Sequence, residues 1–179
     1  MPVLEQQTDL LQQFALGDLA AFETLFRQHQ ADVYRWTVRI VRDPAAAEDL
    51  TIETFWRIYR AHARFDPTRS FGAWARKVAT NAALDHLKTA RPELALIEDF
   101  PAKDATDPGV QRDIRERTQQ AFRALPARLQ VVATLALIEE QPYKEIAEAL
   151  GISVGAVKLR VFRAIRQLRK NLKQLGIEP

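Results

Sequence analysis

Apolar residues recur every three or four positions along nearly the whole chain, while the every-second-residue alternation of a half-buried strand is almost absent. Thr8 or Asp9 can cap a short first helix that stops at Gly17. Asp18 then opens a longer helix. Its Leu19, Phe22, Leu25, Phe26, Val33, Thr37, Ile40 and Val41 form a nearly continuous apolar face. The pair Asp43-Pro44 supplies a cap and a favoured first helical residue, starting a helix that runs to about His62 and buries Leu50, Phe55, Ile58 and Tyr59. The stretch ARFDPTRS at 63–70 reads as a loop, because the residue before proline avoids the helical region. Ser70 caps the next helix, which buries Phe71, Trp74, Val78 and Leu87 and ends near Arg91-Pro92.

The pattern breaks at 92–107, PELALIEDFPAKDATD, where Pro92, Pro101 and a net negative charge predict a flexible acidic linker. Helical spacing resumes at Pro108, and Leu125-Pro126 marks a further boundary before a helix over 127–139. The segment 142–170, PYKEIAEALGISVGAVKLRVFRAIRQLRK, then predicts a helix-turn-helix. Tyr143, Ile146, Ala147 and Leu150 share one face. Gly151 suits the left-handed residue that ends a helix, and Ser153 suits the cap of the next. On that second helix Val157, Val161, Ile165 and Leu168 form an apolar stripe, while Lys158, Arg160, Arg163, Arg166, Arg169 and Lys170 point elsewhere. Such a helix fits a DNA major groove. The fold class is therefore all-α, with two small helical domains at 1–91 and 108–179 joined by the linker.

Charge sharpens this picture. The 179 residues carry a net charge of only +3, but unevenly. No acidic residue occurs over 152–177, and over 57–91 eight basic residues face only Asp66 and Asp85. The first 56 residues run the other way, with nine acids against four arginines. Two separate basic segments predict two contacts with a polyanion, and the acidic segment predicts a protein partner. Absence of cysteine excludes disulfides, thiolate metal sites and cysteine nucleophiles, and no other grouping suggests a metal or cofactor. Asp85 and His86 lack a third group to complete a catalytic site. No apolar run approaches the roughly 20 residues needed to cross a bilayer, and the N-terminus does not resemble a secretory signal. A cytoplasmic protein without membrane insertion or small-molecule substrate is expected.

Three stretches in register, AEDLTIETFWRIYR at 47–60, RSFGAWARKVATNAALDHLKTA at 69–90 and the helix-turn-helix, resemble bacterial RNA polymerase sigma factors of the extracytoplasmic-function type. The resemblance covers nearly the whole chain. It implies a σ2-like first domain, a σ4-like second domain, and a protein that binds core polymerase and directs it to promoters. By that resemblance Glu48, Asp49, Ile52 and Glu53 dock on the clamp helices of the large polymerase subunit. Ile52 departs from the family's usual glutamine. A plain alternative for the acidic face is solvation, with a Glu53–Arg57 pair contributing about 0.3–0.5 kcal/mol.

The loop 64–70 and the helix after it correspond to the part of the family that captures the −10 element. Arg64, Phe65, Arg69, Arg76, Lys77, Asn81 and Lys88 are the candidates, since opening DNA unstacks a base and calls for aromatic and basic surfaces. Trp74, in helical register with Phe71 and Val78, reads as core rather than as a stacking platform. For the −35 element the resemblance points to Lys158, Leu159, Phe162 and Arg163 in the groove. Ser153, Arg160 and Arg166 are expected on phosphates. Leu159 replaces the small polar residue common in the family. The family further implies an anti-sigma factor as partner, and with no further domain after residue 179 control is expected from outside the chain.

Two other readings compete. A stand-alone helix-turn-helix regulator on a palindromic operator would explain residues 142–170, but not the acidic 47–60 helix or the second basic helix. A metal-dependent nuclease would need carboxylates clustered in the basic region, and Asp66 and Asp85 are too few.

Overall fold

The computed structural model describes residues 2–89 and 108–177, and every regular element among them is helical. The expected linker at 92–107 lies outside the described residues. The chain forms two compact units, one built on the residues up to Asp85 and the other on most of those from His86 onward.

In the first unit, α1 (Pro2–Ala15) starts earlier than Thr8 or Asp9, and Gly17 ends it at φ +90°. A side chain at Gly17 would be strained by that φ, and its Cβ would stand 3.0 Å from the His62 ring. Asp18 caps α2 (Leu19–Val41) by accepting a 2.7 Å hydrogen bond from the Ala21 amide. Leu25, Val33, Thr37, Ile40 and Val41 are buried as expected, whereas Leu19 faces outward. Arg42 takes the left-handed conformation at φ 57° and closes α2 through its amide to Val38 O. Asp43 then accepts from the amides of Ala45 and Ala46 and opens α3 (Pro44–Arg60), with Pro44 in its first turn. The chain leaves α3 through a 3-10 turn at His62–Arg64, so the helix is a little shorter than the spacing alone predicts. Helix α4 (Phe71–Thr89) begins where Ser70 Oγ accepts from the Ala73 amide at 3.3 Å.

Aromatic rings hold these elements together. Phe14 of α1 meets Phe71 at 5.5 Å and Phe65 at 5.7 Å between centroids, both edge to face. Phe65 lies 5.0 Å from Trp74. Phe26 of α2 packs on Phe55 of α3 at 4.8 Å. Edge-to-face pairs add about 0.5–1.5 kcal/mol each beyond their buried area, so Phe65 ties the loop before α4 to this cluster.

In the second unit, α5 (Pro108–Arg123) and α6 (Ala127–Ala133) flank the Leu125-Pro126 boundary. The helix expected over 127–139 changes character midway. It continues as a π-helical turn, Thr134–Ile138, closed by Glu139 N–H to Thr134 O at 2.9 Å. Helix α7 (Tyr143–Leu150) ends at Gly151 with φ +64°, and Ser153 caps α8 (Val154–Gln174) by accepting from the Ala156 amide at 3.1 Å. Phe122, Leu125, Ala133 and Ala164 form the core, with Leu129, Ile138 and Leu168 packed against it.

Asn171 is a buried polar exception on α8. Its amide donates to Ala121 O at 2.9 Å, and its carbonyl accepts from Gln167 at 3.0 Å. Ala121 O belongs to the last turn of α5, where carbonyls lack helical partners. Asn171→Ala is therefore expected to destabilise the second unit by about 1–3 kcal/mol, as for an orphaned buried acceptor. Urea unfolding of the variant against the parent chain checks this, and an unchanged midpoint would show that the bond contributes nothing.

Candidate nucleic-acid interface

Helix α8 buries Val157, Val161 and Ala164. At about 100° per residue, Lys158, Leu159, Phe162, Arg163 and Arg166 then occupy a single arc of about 140° on its other side. All five are exposed, Phe162 at 62% and Leu159 at 49%. Arg160 is half-buried at the boundary between the two faces, and Ser153 is exposed at the helix start. The buried stripe runs through Ala164 rather than Ile165, which is only half-buried. An exposed arc mixing cations with large apolar side chains can pair with guanine edges and touch thymine methyl groups.

On α4, Lys77, Asn81 and Lys88 are exposed and fall within about 40° of each other around the axis, spread over roughly 16 Å of helix. Arg64 and Arg69 are exposed in the preceding loop. That loop is held by Asp66, which accepts from the Thr68 amide at 3.0 Å and hydroxyl at 2.7 Å, with Arg69 at 3.4 Å. The Thr68 hydrogen bonds, foremost its hydroxyl, lower the Asp66 pKa, and Arg69 adds to the effect. Phe65 differs from expectation. It is only 6% exposed, with its ring between Phe14, Phe71 and Trp74. A ring so enclosed anchors the loop and offers no face for stacking, so Phe65 leaves the set of surface candidates. Trp74 is half-buried in the same cluster.

Arg76 stands on a different side of α4, with its guanidinium carbon 5.5 Å from the centroid of the Trp36 ring. Beside it opens a pocket of about 400 Å³, lined by apolar Leu25, Val33 and Phe71 together with polar His29, Asp32 and Arg76. Burial lowers the His29 pKa and Asp32 opposes that shift, which favours a neutral imidazole, 5.0 Å from the Phe71 ring.

The acidic face of α3 holds a residue that the sequence reading missed. Glu48, Asp49 and Ile52 are exposed and Glu53 is half-buried, Ile52 at 68%. Trp56, one turn beyond Ile52, is 56% exposed and falls near the middle of the same arc, stacked on Tyr59 at 6.4 Å. Ile52 and Trp56 thus form an exposed apolar pair beside the carboxylates of Glu48 and Asp49. Glu53 is partly engaged within the chain, since Arg57 bridges it at 2.8 Å and Asp85 of α4 at 3.0 Å. The Glu53 hydrogen bond, reinforced by Asp85 against the opposing effect of burial, raises the Arg57 pKa. Asp85 is thus a strut between α3 and α4. Among the described residues, no helix is long and apolar enough to cross a membrane.

Two helical units, one with a basic recognition helix and one with a basic α4 backed by an acidic-apolar α3, define a bipartite DNA-binding protein of the helix-turn-helix class. Comparison with known proteins takes this further. The family model Sigma-70 region 2 matches residues 25–93, and Sigma-70, region 4 matches 115–168. The RNA polymerase sigma factor CarQ of Myxococcus xanthus is 34% identical over 94% of this chain and 98% of its own length. The extracytoplasmic-function sigma factor SigE of Mycolicibacterium smegmatis is 36% identical over 92% of this chain and 67% of its own length. A solved structure of CnrH in complex with the cytosolic domain of CnrY superposes with a TM-score of 0.58 at 24% identity, covering 94% of this chain and 97% of that one, which shows the shared fold. The chain belongs to the extracytoplasmic-function family of RNA polymerase sigma factors, which direct core polymerase to promoters.

Proposed function

We propose that three surfaces divide the work of promoter-directed initiation: α3 seats the chain on core polymerase, α4 and its loop take the −10 element, and α8 reads the −35 element. The observation that carries this reading is the exposed arc of Lys158, Leu159, Phe162, Arg163 and Arg166 on a helix whose other face is buried. On α3, Glu48, Asp49, Ile52 and Trp56 suit the basic side chains of the polymerase clamp helices, the apolar pair supplying contact area and the carboxylates orientation. On the first unit, Arg64, Arg69, Lys77, Asn81 and Lys88 suit a strand backbone, and the pocket beside Arg76 is large enough to receive an unstacked base.

In this reading residues 1–91 and 108–179 act as separate DNA-binding domains joined by 92–107. The chain works in the cytoplasm as a binding subunit with no active site of its own. Control falls to an anti-sigma protein that covers its polymerase-binding and DNA-binding surfaces.

A photo-crosslinking amino acid placed at Asp49, Asn81 or Leu159 in an initiation complex tests the division directly. Position 49 is expected to mark the large polymerase subunit, position 81 the −10 strand and position 159 the −35 duplex. Crosslinks from positions 81 and 159 to the same DNA segment would refute it.

A further inference from the structure

A closed circuit of contacts joins Trp36 of α2 to one turn of α4. The buried indole donates from Nε1 to Thr80 Oγ1 at 2.9 Å. The Thr80 hydroxyl donates in turn to Arg76 O at 2.7 Å. The Arg76 side chain then returns over the Trp36 ring, its guanidinium carbon 5.5 Å from the centroid. The hydrogen bond sets the rotation of the indole, so the face it offers to Arg76 is set as well.

We infer that Trp36 is a positioning residue for promoter DNA, holding the Arg76 guanidinium in a fixed place at the −10 surface before the strand arrives. An exposed arginine ordinarily gives up substantial rotamer freedom on binding. Attraction to a ring face restrains the group in the free protein, so less freedom is lost when a phosphate or base approaches. Attraction of a cation to a ring face also needs no oxygen acceptor, so it is compatible with hydrogen bonds from the guanidinium to phosphate. Arg76 lies on a different side of α4 from Lys77, Asn81 and Lys88 and lines the pocket, so its placement steers the strand towards that opening.

The inference rests on the reading that α4 meets the −10 element, and the test separates the two. Holoenzyme reconstituted with core polymerase is titrated against promoter DNA with an intact and a scrambled −10 element, over a series of salt concentrations. The variants are Trp36→Leu, Trp36→Phe, Thr80→Val, Arg76→Ala and the double Trp36→Leu/Arg76→Ala, each checked for folding by thermal melting. Trp36→Leu is expected to weaken binding to the intact element about three- to ten-fold, with Trp36→Phe and Thr80→Val between it and the parent. In the Arg76→Ala background Trp36→Leu should have no further effect. Arg76→Ala itself should flatten the salt dependence by roughly one phosphate contact.

An equal penalty in both backgrounds would show that Trp36 acts only as core, and would overturn the inference while leaving the −10 reading intact. If Trp36→Leu fails to fold, the decision passes to Thr80→Val and the double Thr80→Val/Arg76→Ala under the same comparison. Failure of the parent protein to distinguish intact from scrambled −10 DNA would overturn the reading itself, and the inference with it.

Discussion

Replacing Trp56 by alanine should lower the affinity of the chain for core RNA polymerase by about 2 kcal/mol, roughly 30-fold. Trp56 is large, more than half exposed, and central in an arc rimmed by Glu48 and Asp49 with Ile52 beside it. An aromatic anchor inside a charged rim is the arrangement in which binding energy concentrates at protein interfaces. Stability of the chain should barely change, because the side chain buries little in the free protein. Asp49→Lys is expected to weaken the same interaction in a salt-dependent way by reversing a charge meant for a basic surface. Neither change should alter DNA binding by the second unit. Competition of each variant against the parent for limiting core checks the prediction. Parental affinity for both would remove α3 from the polymerase interface.

The second large effect belongs to α8. Arg163→Ala should cost about 1–3 kcal/mol in binding to the −35 element and relax the choice of base at one position. Phe162→Ala should act differently. It removes an exposed ring, so it should reduce preference for thymine at its contact without flattening the salt dependence, because no phosphate charge is involved. Arg166→Ala should weaken binding to all sequences alike. Comparing the variants on a library of −35 sequences separates these patterns, and unchanged preference and affinity for Arg163→Ala would place the groove contact elsewhere.

The helix-turn-helix was legible from sequence because its signals are local. Gly151 and Ser153 serve the conformations their chemistry favours, left-handed for one and capping for the other. The caps at Asp18, Asp43 and Ser70 were readable for the same reason. Phe65 was not, because its burial depends on Phe14, which arrives from α1 some fifty residues earlier. In the loop's own sequence a phenylalanine next to Arg64, with Arg69 four residues on, looks like a stacking surface. The apolar stripe of α8 differs from expectation at a single position, with Val157 and Val161 buried and Leu168 packed on the core. The stripe advances by four and then three, from Val157 to Val161 to Ala164, and Ile165, larger and more apolar, is only half-buried. Trp56 was missed in the opposite way, since an apolar residue within a helical repeat reads as core. Only its angle relative to the buried Leu50, Phe55 and Ile58 reveals that it faces outward. The Trp36–Thr80–Arg76 circuit spans 44 residues between its hydrogen-bonded ends, and no local pattern announces it.

Run-off transcription by purified core polymerase on a genomic fragment library, with and without this chain, decides whether the chain directs initiation. The chain is expected to bind core stoichiometrically and to produce defined start sites preceded by shared −10 and −35 elements. An intact, folded chain that neither binds core nor changes its start sites, yet binds a palindromic duplex by itself, would instead be a stand-alone regulator.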